Sequence, residues 1–473
     1  MQRIQTGEQT SFSFADVAET ASLQPHSRKR VYAPLRPIHY LGSKLRIVEL
    51  VREVIDMVDP SGSPVCDLFA GSGTVSRELA TYRTVVSVDI QEYSRVLCSA
   101  LLNPANVKED AIKQFLNTAL SSEHARRLAW AIEPMVSYEA SCRNEAKIGN
   151  VEPLCQLLEQ ASIILFQLGA VRSTEDRLYT ALNETISRLR DVDLVDTPGS
   201  MTTCYFGGIY FSYFQASQID MLLEAVSSLR LSERDTFLAA VLSTASEIVN
   251  TVGKQFAQPI RPRYSDGRPK LNLSERVSRD RRIDATIVFT TWIDRYLNTQ
   301  LSGRKHRVIR NDFEEVLDSL EGQVGVVYAD PPYTRDHYSR YYHVLETLCL
   351  RDCPTVSTVR IDGNDRISRG IYRKDRHQSP FCIKSKAPHA FSTLFAKVRS
   401  LNVPLVLSYS PFEKNTGARP RLMSIKDIEE LARKSFESVE VVSAGRIAHS
   451  KLNRSDMNKT ISYDAESFFI CKP

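Results

Sequence analysis

Val65-Cys66-Asp67-Leu68-Phe69-Ala70-Gly71-Ser72-Gly73-Thr74 is the stretch whose reading decides the fold. Val65 to Phe69 is a short apolar run of buried-strand length. Gly71-Ser72-Gly73 follows at once. Thr74 to Tyr82 reads as a helix, and Thr84 to Val88 as a β-branched strand. Strand, glycine loop, helix and strand open a Rossmann-like, doubly wound α/β sheet. Upstream, Ile47 to Met57 has helical apolar spacing, and Pro60-Ser61-Gly62-Ser63-Pro64 is a turn. Downstream, about 110 to 250 reads as mostly helical. Val151 to Gly169 and Glu233 to Val252 are the clearest helices there, with Ser232 and Asp235 as a capping pair. Residues 251–285 read as an extended basic loop. Strands return at Val308-Ile309, Val324 to Ala329, Val403 to Ser408, Val439 to Ala444 and Ser467 to Cys471. The organisation implied is a disordered lead (1–30) and one α/β domain in two parts (31–109 and 305–473). A large, mainly helical insertion (110–304) splits them.

Glycines at the carboxyl end of a strand let backbone approach a ligand closely, and the following helix aims free amides at it. A pyrophosphate-binding loop asks for a third small residue, ideally Gly, where Ser76 stands. Asp89 ends the next strand, where a carboxylate accepts from ribose hydroxyls. A cofactor with a ribose and no pyrophosphate fits better than a dinucleotide, and S-adenosylmethionine is the candidate. The bland alternative is a plain strand–helix turn with a satisfied surface Asp.

Tyr328-Ala329-Asp330-Pro331-Pro332-Tyr333 is the most specific signal. Two prolines stop a buried strand and fix a rigid turn. Their carbonyls are free acceptors, Asp330 adds another, and Tyr333 adds a flat face. Together they suit a planar base with an exocyclic amine. Asp330 and the Pro331 carbonyl would accept both amine hydrogens and aim the nitrogen lone pair at a methyl sulfonium, leaving catalysis to positioning and fixed dipoles. A base in a duplex must flip out to reach such a pocket. A Pro-Pro strand terminator without chemistry is the plain alternative.

At these residues the chain resembles the Dam-type, α-class DNA adenine-N6 methyltransferases. His39-Tyr40-Leu41-Gly42-Ser43-Lys44 is similar to the family's N-terminal Gly-Lys motif, which implies that Lys44 and nearby backbone hold the methionine end of the cofactor, with Tyr40 among the cofactor-binding residues. Asp67 to Gly73 resembles the family's cofactor loop, with Asp67, Phe69, Gly71, Ser72 and Gly73 in binding positions. Asp89, beside Ile90, matches the ribose-binding acid. Asn311-Asp312-Phe313 resembles the segment along the cofactor's adenine. Asp330, Pro331, Pro332 and Tyr333 match the catalytic motif, and Pro404 to Ser410 the next core strand. The resemblance implies a seven-stranded methyltransferase sheet and no metal. It places target recognition before the catalytic motif, where the long insertion sits. Two departures touch sequence specificity more than chemistry: the insertion's length, and Ser43 where many members have Gly.

Charge supports a nucleic-acid partner. The chain carries 61 Lys/Arg against 56 Asp/Glu. Thr251 to Arg310 holds fourteen basic residues against five acids, and Arg351 to Lys386 nine against four. Arg261, Arg263, Arg268 and Lys270 lie in a Pro-rich stretch, with Arg279, Arg281 and Arg282 close behind. Arg335, Tyr338 and Arg340 follow the catalytic motif and would rim its pocket. Arg373 and Arg376 give a second contact region. His337 is either a general base or, more commonly for such a position, a surface or hydrogen-bonded histidine. Six aromatics in Tyr205 to Phe214 either stack on bases or, more commonly, pack a core.

The remaining composition excludes other classes. A hydrophobic fraction of 42% and a charged fraction of 25% are those of a globular chain. No run of eighteen apolar residues marks a membrane span, and the first thirty residues lack a secretory core. Nine scattered cysteines without a CxxC pair fit reduced thiols rather than zinc. The expectation is a cytoplasmic, nucleoid-associated prokaryotic protein acting on double-stranded DNA, with a cognate restriction endonuclease or defence subunits as further partners. Rival readings are methylation of RNA or of a protein amide, and a non-catalytic DNA-binding subunit with a relic fold.

Overall fold

A mixed, mostly parallel seven-stranded sheet organises the computed structural model, which describes residues 35–171, 175–299, 303–335, 337–361, 363–410, 421–443 and 466–473. The expected disordered lead, and Ala444 of the expected late strand, lie outside those residues. The strands are β1 (Val65–Leu68), β2 (Val85–Asp89), β3 (Arg307–Arg310), β4 (Val326–Ala329), β5 (Thr358–Ile361), β6 (Asn364–Ile367), β7 (Leu405–Tyr409), β8 (Ser438–Ser443) and β9 (Ser467–Lys472). The order across the main sheet is β3-β2-β1-β4-β7-β9-β8, while β5 and β6 form a separate antiparallel pair. β9 is antiparallel to both of its neighbours.

β1 and β4 are buried along their whole length, as a central parallel strand covered on both faces must be. One face packs Val51, Val54 and Ile55 of α1 (Val48–Val58) and Leu79 of α2 (Thr74–Ala80) onto Val65, Val85 and Val326. The other packs Phe391, Leu394 and Phe395 of the helix Ala387–Ser400 onto Leu68, Val327 and Leu405. From β1 the chain runs outward to β2 and, after the long helical stretch, to β3. It then resumes on the other side of β1, at β4. The connections therefore part at the carboxyl ends of β1 and β4 and leave a crevice there.

The helical region is built on α3 (Glu92–Leu102). Val96, Leu97, Ala100 and Leu101 of α3 share one apolar core with helices between Glu109 and Leu297 and with Val344, Leu345 and Leu348. The aromatic run belongs to this core: Phe206, Tyr210, Phe211 and Tyr213 are fully buried. Their hydroxyls reach main-chain carbonyls, Tyr210 to Phe256 and Gly370, and Tyr213 to Ala161. The bland reading of that run holds. Among the described residues no helix is long and apolar enough to cross a membrane.

Three local expectations need correction. The helix expected over Val151 to Gly169 breaks into Glu152–Gln160 and Ile163–Gln167. Ser162 caps the second piece while its hydroxyl donates to the Tyr205 carbonyl, so tertiary bonding overrides the continuous apolar pattern. The helix Leu231–Ile248 starts after Arg230 with no side-chain cap. Asp235 instead takes both ends of the Arg95 guanidinium, at 2.7 and 2.8 Å, and ties this helix to α3. The expected basic loop contains a helix, Leu273–Asp280. Its companion Arg281 is buried, not offered to a polyanion.

Arg281 reaches Glu139 at 2.9 Å and the Gly208 carbonyl at 2.7 Å, while the other Glu139 oxygen accepts from the Tyr213 amide. Removing one partner leaves a buried charge unmatched, which costs about 3–5 kcal/mol. Glu139→Ala should therefore lower unfolding stability by about that amount in urea denaturation. A loss under about 1 kcal/mol would mean the pair is solvated, contrary to its burial.

Candidate active site at the carboxyl edge of the sheet

The glycine loop leaves β1 through a strained residue. Phe69 has a φ of 67°, a conformation that L-residues other than glycine adopt at a cost of about 1–2 kcal/mol. The turn faces the Phe69 ring toward Phe313 and Phe381, with ring centroids 5.6 and 5.4 Å away; Phe313 and Phe381 are 5.4 Å apart. These three rings form an apolar slot.

Gly71 is held from both sides. Its amide donates to Asp89 Oδ2 at 2.9 Å, and its carbonyl accepts from Ser94 Oγ at 2.6 Å. Asp89 Oδ1 accepts from the Gln91 amide at 2.9 Å. Burial raises the Asp89 pKa, and these amides oppose the rise. Asp89 thus splints the loop to β2 while still lining the cleft. A Cβ on Gly71 would lie 2.5 Å from the Tyr40 hydroxyl, so glycine is what lets Tyr40 lie over the loop. Tyr40 in turn stacks on Tyr342 at 5.0 Å.

Ser76, the departure from the dinucleotide pattern, has a structural task. Its hydroxyl donates to Asp67 Oδ2 at 2.5 Å and lies 2.9 Å from Ser87 Oγ, beneath the loop. Burial pushes Asp67 up to about 7, and the Ser76 bond pulls the other way.

Asp330 leaves the end of β4 at the other side of the same cleft. The cleft is lined by Asp89, Phe69 and Phe313 at one end and by Lys44, Asp330 and Pro332 at the other. Tyr40, Asp67, Ser72, Ile90, Asp312 and Tyr338 also line it. Most of the expected catalytic and cofactor residues therefore meet in one cavity, while Gly71, Gly73, Pro331 and Tyr333 are not among its lining residues. Gly71 and Gly73 flank Ser72, which does line it. The Gly73 position is crowded, since a Cβ there would lie 2.9 Å from the Leu101 side chain.

Lys44 is a buried cation at this end of the cleft. Its ammonium lies 2.9 Å from Asp330 Oδ1 and 3.2 Å from Glu466 Oε1, and its side chain is 6% exposed. Burial alone would discharge it, but Asp330, Tyr333 and Glu466 hold its pKa well above the usual lysine value. The charge expected to face the cofactor is turned to the catalytic motif. Burial raises Asp330 to about 6, with Lys44 opposing and Glu466 adding to the rise. Tyr333 sits beside Tyr409, centroids 4.8 Å apart, with the Arg421 guanidinium 4.7 Å from its ring centre. Pro331 is buried and Pro332 half-buried beside it.

Glu466, Phe381 and His377 are site residues that no sequence motif marked. His377 lines the cleft, and burial lowers its pKa while Asp312 and Asp89 oppose that. His337, at the same rim, is half-buried.

The arginines expected to meet DNA divide into two groups. Arg263 pairs with Glu152 at 2.5 Å and Glu159 at 3.0 Å. Arg373 is buried, with both guanidinium ends on Asp352 at 2.6 Å. Arg268 pairs with its neighbour Asp266. For Arg263 and Arg373, acids from other segments take the charge, whereas Arg268 stays exposed beside Asp266. Arg335 is exposed at the rim, and Arg261 is exposed in its loop with Lys270, whose ammonium donates to the Arg261 carbonyl. Arg340 and Arg376 both lie over the Tyr372 ring, at 4.8 and 5.2 Å. Neither pairs with a carboxylate among the described residues.

Replacing Gly71 with Ala tests the loop directly. The new methyl meets Tyr40 in a left-handed backbone, so melting should fall by an amount equivalent to at least about 1–2 kcal/mol. An unchanged melting temperature would show that Tyr40 moves freely.

Comparison with known proteins follows this geometry. Residues 40–128 match the family model described as D12 class N6 adenine-specific DNA methyltransferase. The chain is 22% identical over 423 residues to Modification methylase LlaI of Lactococcus lactis subsp. lactis, covering 89% of this chain and 52% of that protein. It is 20% identical over 405 residues to Type II methyltransferase M.NlaIII of Neisseria lactamica, covering 83% and 87%. It is 19% identical over 440 residues to Modification methylase StsI of Streptococcus sanguinis, covering 92% and 52%. The chain thus spans about half the length of the LlaI and StsI proteins and most of M.NlaIII. No solved structure matches it. Residues 40–128, which carry Lys44, the glycine loop and Asp89, are thus similar to the D12 class of N6 adenine-specific DNA methyltransferases.

Proposed function

We propose that this chain is a site-specific DNA adenine-N6 methyltransferase that uses S-adenosylmethionine and serves restriction–modification, phage defence or epigenetic marking. The observation that carries this is one cleft joining the Phe69–Phe313–Phe381 slot and Asp89 to Asp330 and Pro332. In this reading the sheet is the doubly wound, Rossmann-like methyltransferase fold. Residues 31–109 and 305–473 are its catalytic parts and 110–304 the target-recognition region. The expected setting is a prokaryotic cytoplasm, near the nucleoid, with a cognate endonuclease as a further partner.

The cleft's chemistry fits the cofactor. The three phenylalanine rings match a purine, and Asp89 keeps acceptor capacity for ribose hydroxyls beyond its two amides. Tyr40 and Ser72 lie where the loop would meet the amino-acid end. When bound, the sulfonium supplies an electrophilic methyl group and a neutral leaving group, so the reaction needs no metal.

The chain's own residues do the rest. The target adenine leaves the duplex and stacks on Tyr333. Asp330 and the Pro331 carbonyl accept the two amine hydrogens. That geometry favours a tetrahedral nitrogen and directs its lone pair toward the methyl carbon. The nitrogen gains the methyl group and a positive charge, then loses a proton to the Asp330 carboxylate.

Outside the cleft, Arg340 and Arg376 are the leading phosphate ligands, with Arg335, Arg261 and Lys270 beside them. Two guanidinium groups on one ring repel each other, and a phosphodiester between them would relieve that repulsion.

The deciding experiment is tritiated methyl transfer from S-adenosylmethionine to unmethylated genomic DNA, with modified-base sequencing. Label as N6-methyladenine in one short motif is expected; bound cofactor with no DNA label would favour RNA or protein amide as substrate. Asp330→Ala should abolish transfer and leave cofactor affinity within about threefold of wild type. Because burial raises Asp330 to about 6, it is protonated below that pH and cannot accept both roles. Turnover should therefore fall as pH drops through about 6, and a flat profile down to pH 5 would remove Asp330 from the step. Arg340→Gln with Arg376→Gln should reduce the salt dependence of DNA binding by about two counter-ions; an unchanged slope would move the phosphate contacts elsewhere.

A further inference from the structure

Glu466 lies just before β9, far along the chain from the catalytic motif. The antiparallel course of β9 brings it there. β4 and β7 end at the edge where β9 begins, and Tyr409 pairs with Ser467 across that edge. Glu466 is 7% exposed. Its Oε1 accepts from Ser408 Oγ at 2.7 Å and meets the Lys44 ammonium at 3.2 Å. Lys44 Nζ is at the same time 2.9 Å from Asp330 Oδ1. One buried ammonium is thus shared by two carboxylates.

We infer that Glu466 is a positioning residue for methyl transfer, setting through Lys44 where the Asp330 carboxylate points and how strongly it holds a proton. The inference rests on the adenine methylation reading. Lys44 engages Oδ1, which leaves Oδ2 as the oxygen for the target amine. Without Glu466, Lys44 would belong to Asp330 alone. The fully compensated carboxylate would then be a weak acceptor for the proton released by the methylated nitrogen. With Glu466, the ammonium fixes the Asp330 geometry while a second negative charge restores its basicity. The charges around Asp330 are Lys44 from the N-terminal turn, Glu466 from just before β9 and Asp67 from β1. Tyr328, Tyr333 and Tyr338 complete its titratable surroundings. Glu466 and Asp67 act in the same direction, and Lys44 opposes both.

The step balances on this view. The amine nitrogen forms a bond to the methyl carbon, and the carbon–sulfur bond breaks with its electrons left on sulfur. The N–H electrons then return to nitrogen as its proton passes to Asp330. Lys44 stays an ammonium throughout and Glu466 stays a carboxylate.

Glu466→Gln keeps the shape and removes the charge. The full chain with this substitution should bind S-adenosylmethionine within about threefold of wild type by calorimetry. Its turnover on DNA should fall about tenfold or more. The acid limb of its turnover–pH profile should move down by about one to two units, as expected for deleting one charge this near at an effective dielectric of ~20. Ser408→Ala loosens the support without removing the charge and should keep the wild-type limb. A wild-type limb in Glu466→Gln, or a loss confined to cofactor affinity, would overturn the assignment. The same shift can be read without turnover, by titrating 13Cγ-aspartate in the ligand-free protein with Asp330→Asn for assignment. If wild type fails to methylate DNA, the adenine reading falls, and an unmoved Asp330 titration in Glu466→Gln would sink this inference separately.

Discussion

A lysine ammonium cannot stay charged in a nearly dry site unless carboxylates surround it. Lys44 meets that requirement with Asp330 and Glu466, and the requirement links the two ends of the described chain. Lys44 enters from the turn before α1, Asp330 from the end of β4, and Glu466 from the start of β9. For the three to meet, β9 must run against its neighbours and start where β4 and β7 stop. The reversed strand is therefore part of the site's geometry. Without it the sheet would still bury Phe468 and Ile470, but its last acid would leave from the far edge.

The cofactor side follows the same economy of groups. Asp89 is at once a splint for the glycine loop and a wall of the cleft. Ser76 looked like a defect in a glycine fingerprint, and it instead bonds Asp67 beneath the loop. Phe69 takes a left-handed backbone that a glycine would take more easily. Its ring contacts with Phe313 and Phe381 explain why a side chain is kept there. Strain at such a position is tolerated when the surroundings over-determine it.

These features differ in how far the sequence announced them. Val65 to Thr74, Asp89 and Asp330 to Tyr333 were legible because each is local. A strand, a tight turn and a strand end leave marks within a few residues. All seven main-sheet strands were placed within about two residues of their ends, β3 as its inner two residues. Glu466 was not legible. A lone acid before an apolar strand looks like any surface carboxylate until strand order and direction are known. Phe381 and His377 were hidden for the same reason, since they reach the cleft from a short 3-10 turn and the irregular chain before it. Arg263, Arg281 and Arg373 failed in the opposite sense. Local charge density counted them as surface, and acids distant in sequence took them inward.

That last failure sharpens the DNA argument. The segment Thr251 to Arg310 holds the larger basic excess, yet Arg263 and Arg281 in it are bound to acids of the helical layer. A formal charge already matched by a buried carboxylate adds little to the field that a polyanion meets. The smaller segment supplies Arg376, whose guanidinium shares Tyr372 with Arg340 from beyond the catalytic motif. Arg376 and Ser339, the neighbour of Arg340, line a hollow that has Ile90, Gln91 and His377 in common with the cleft of Asp89 and Asp330. Electrostatic guidance of a flipped nucleotide needs charge that is both uncompensated and close to the pocket. By that measure two arginines on one tyrosine outweigh Arg263 and Arg281, whose charges are already paired.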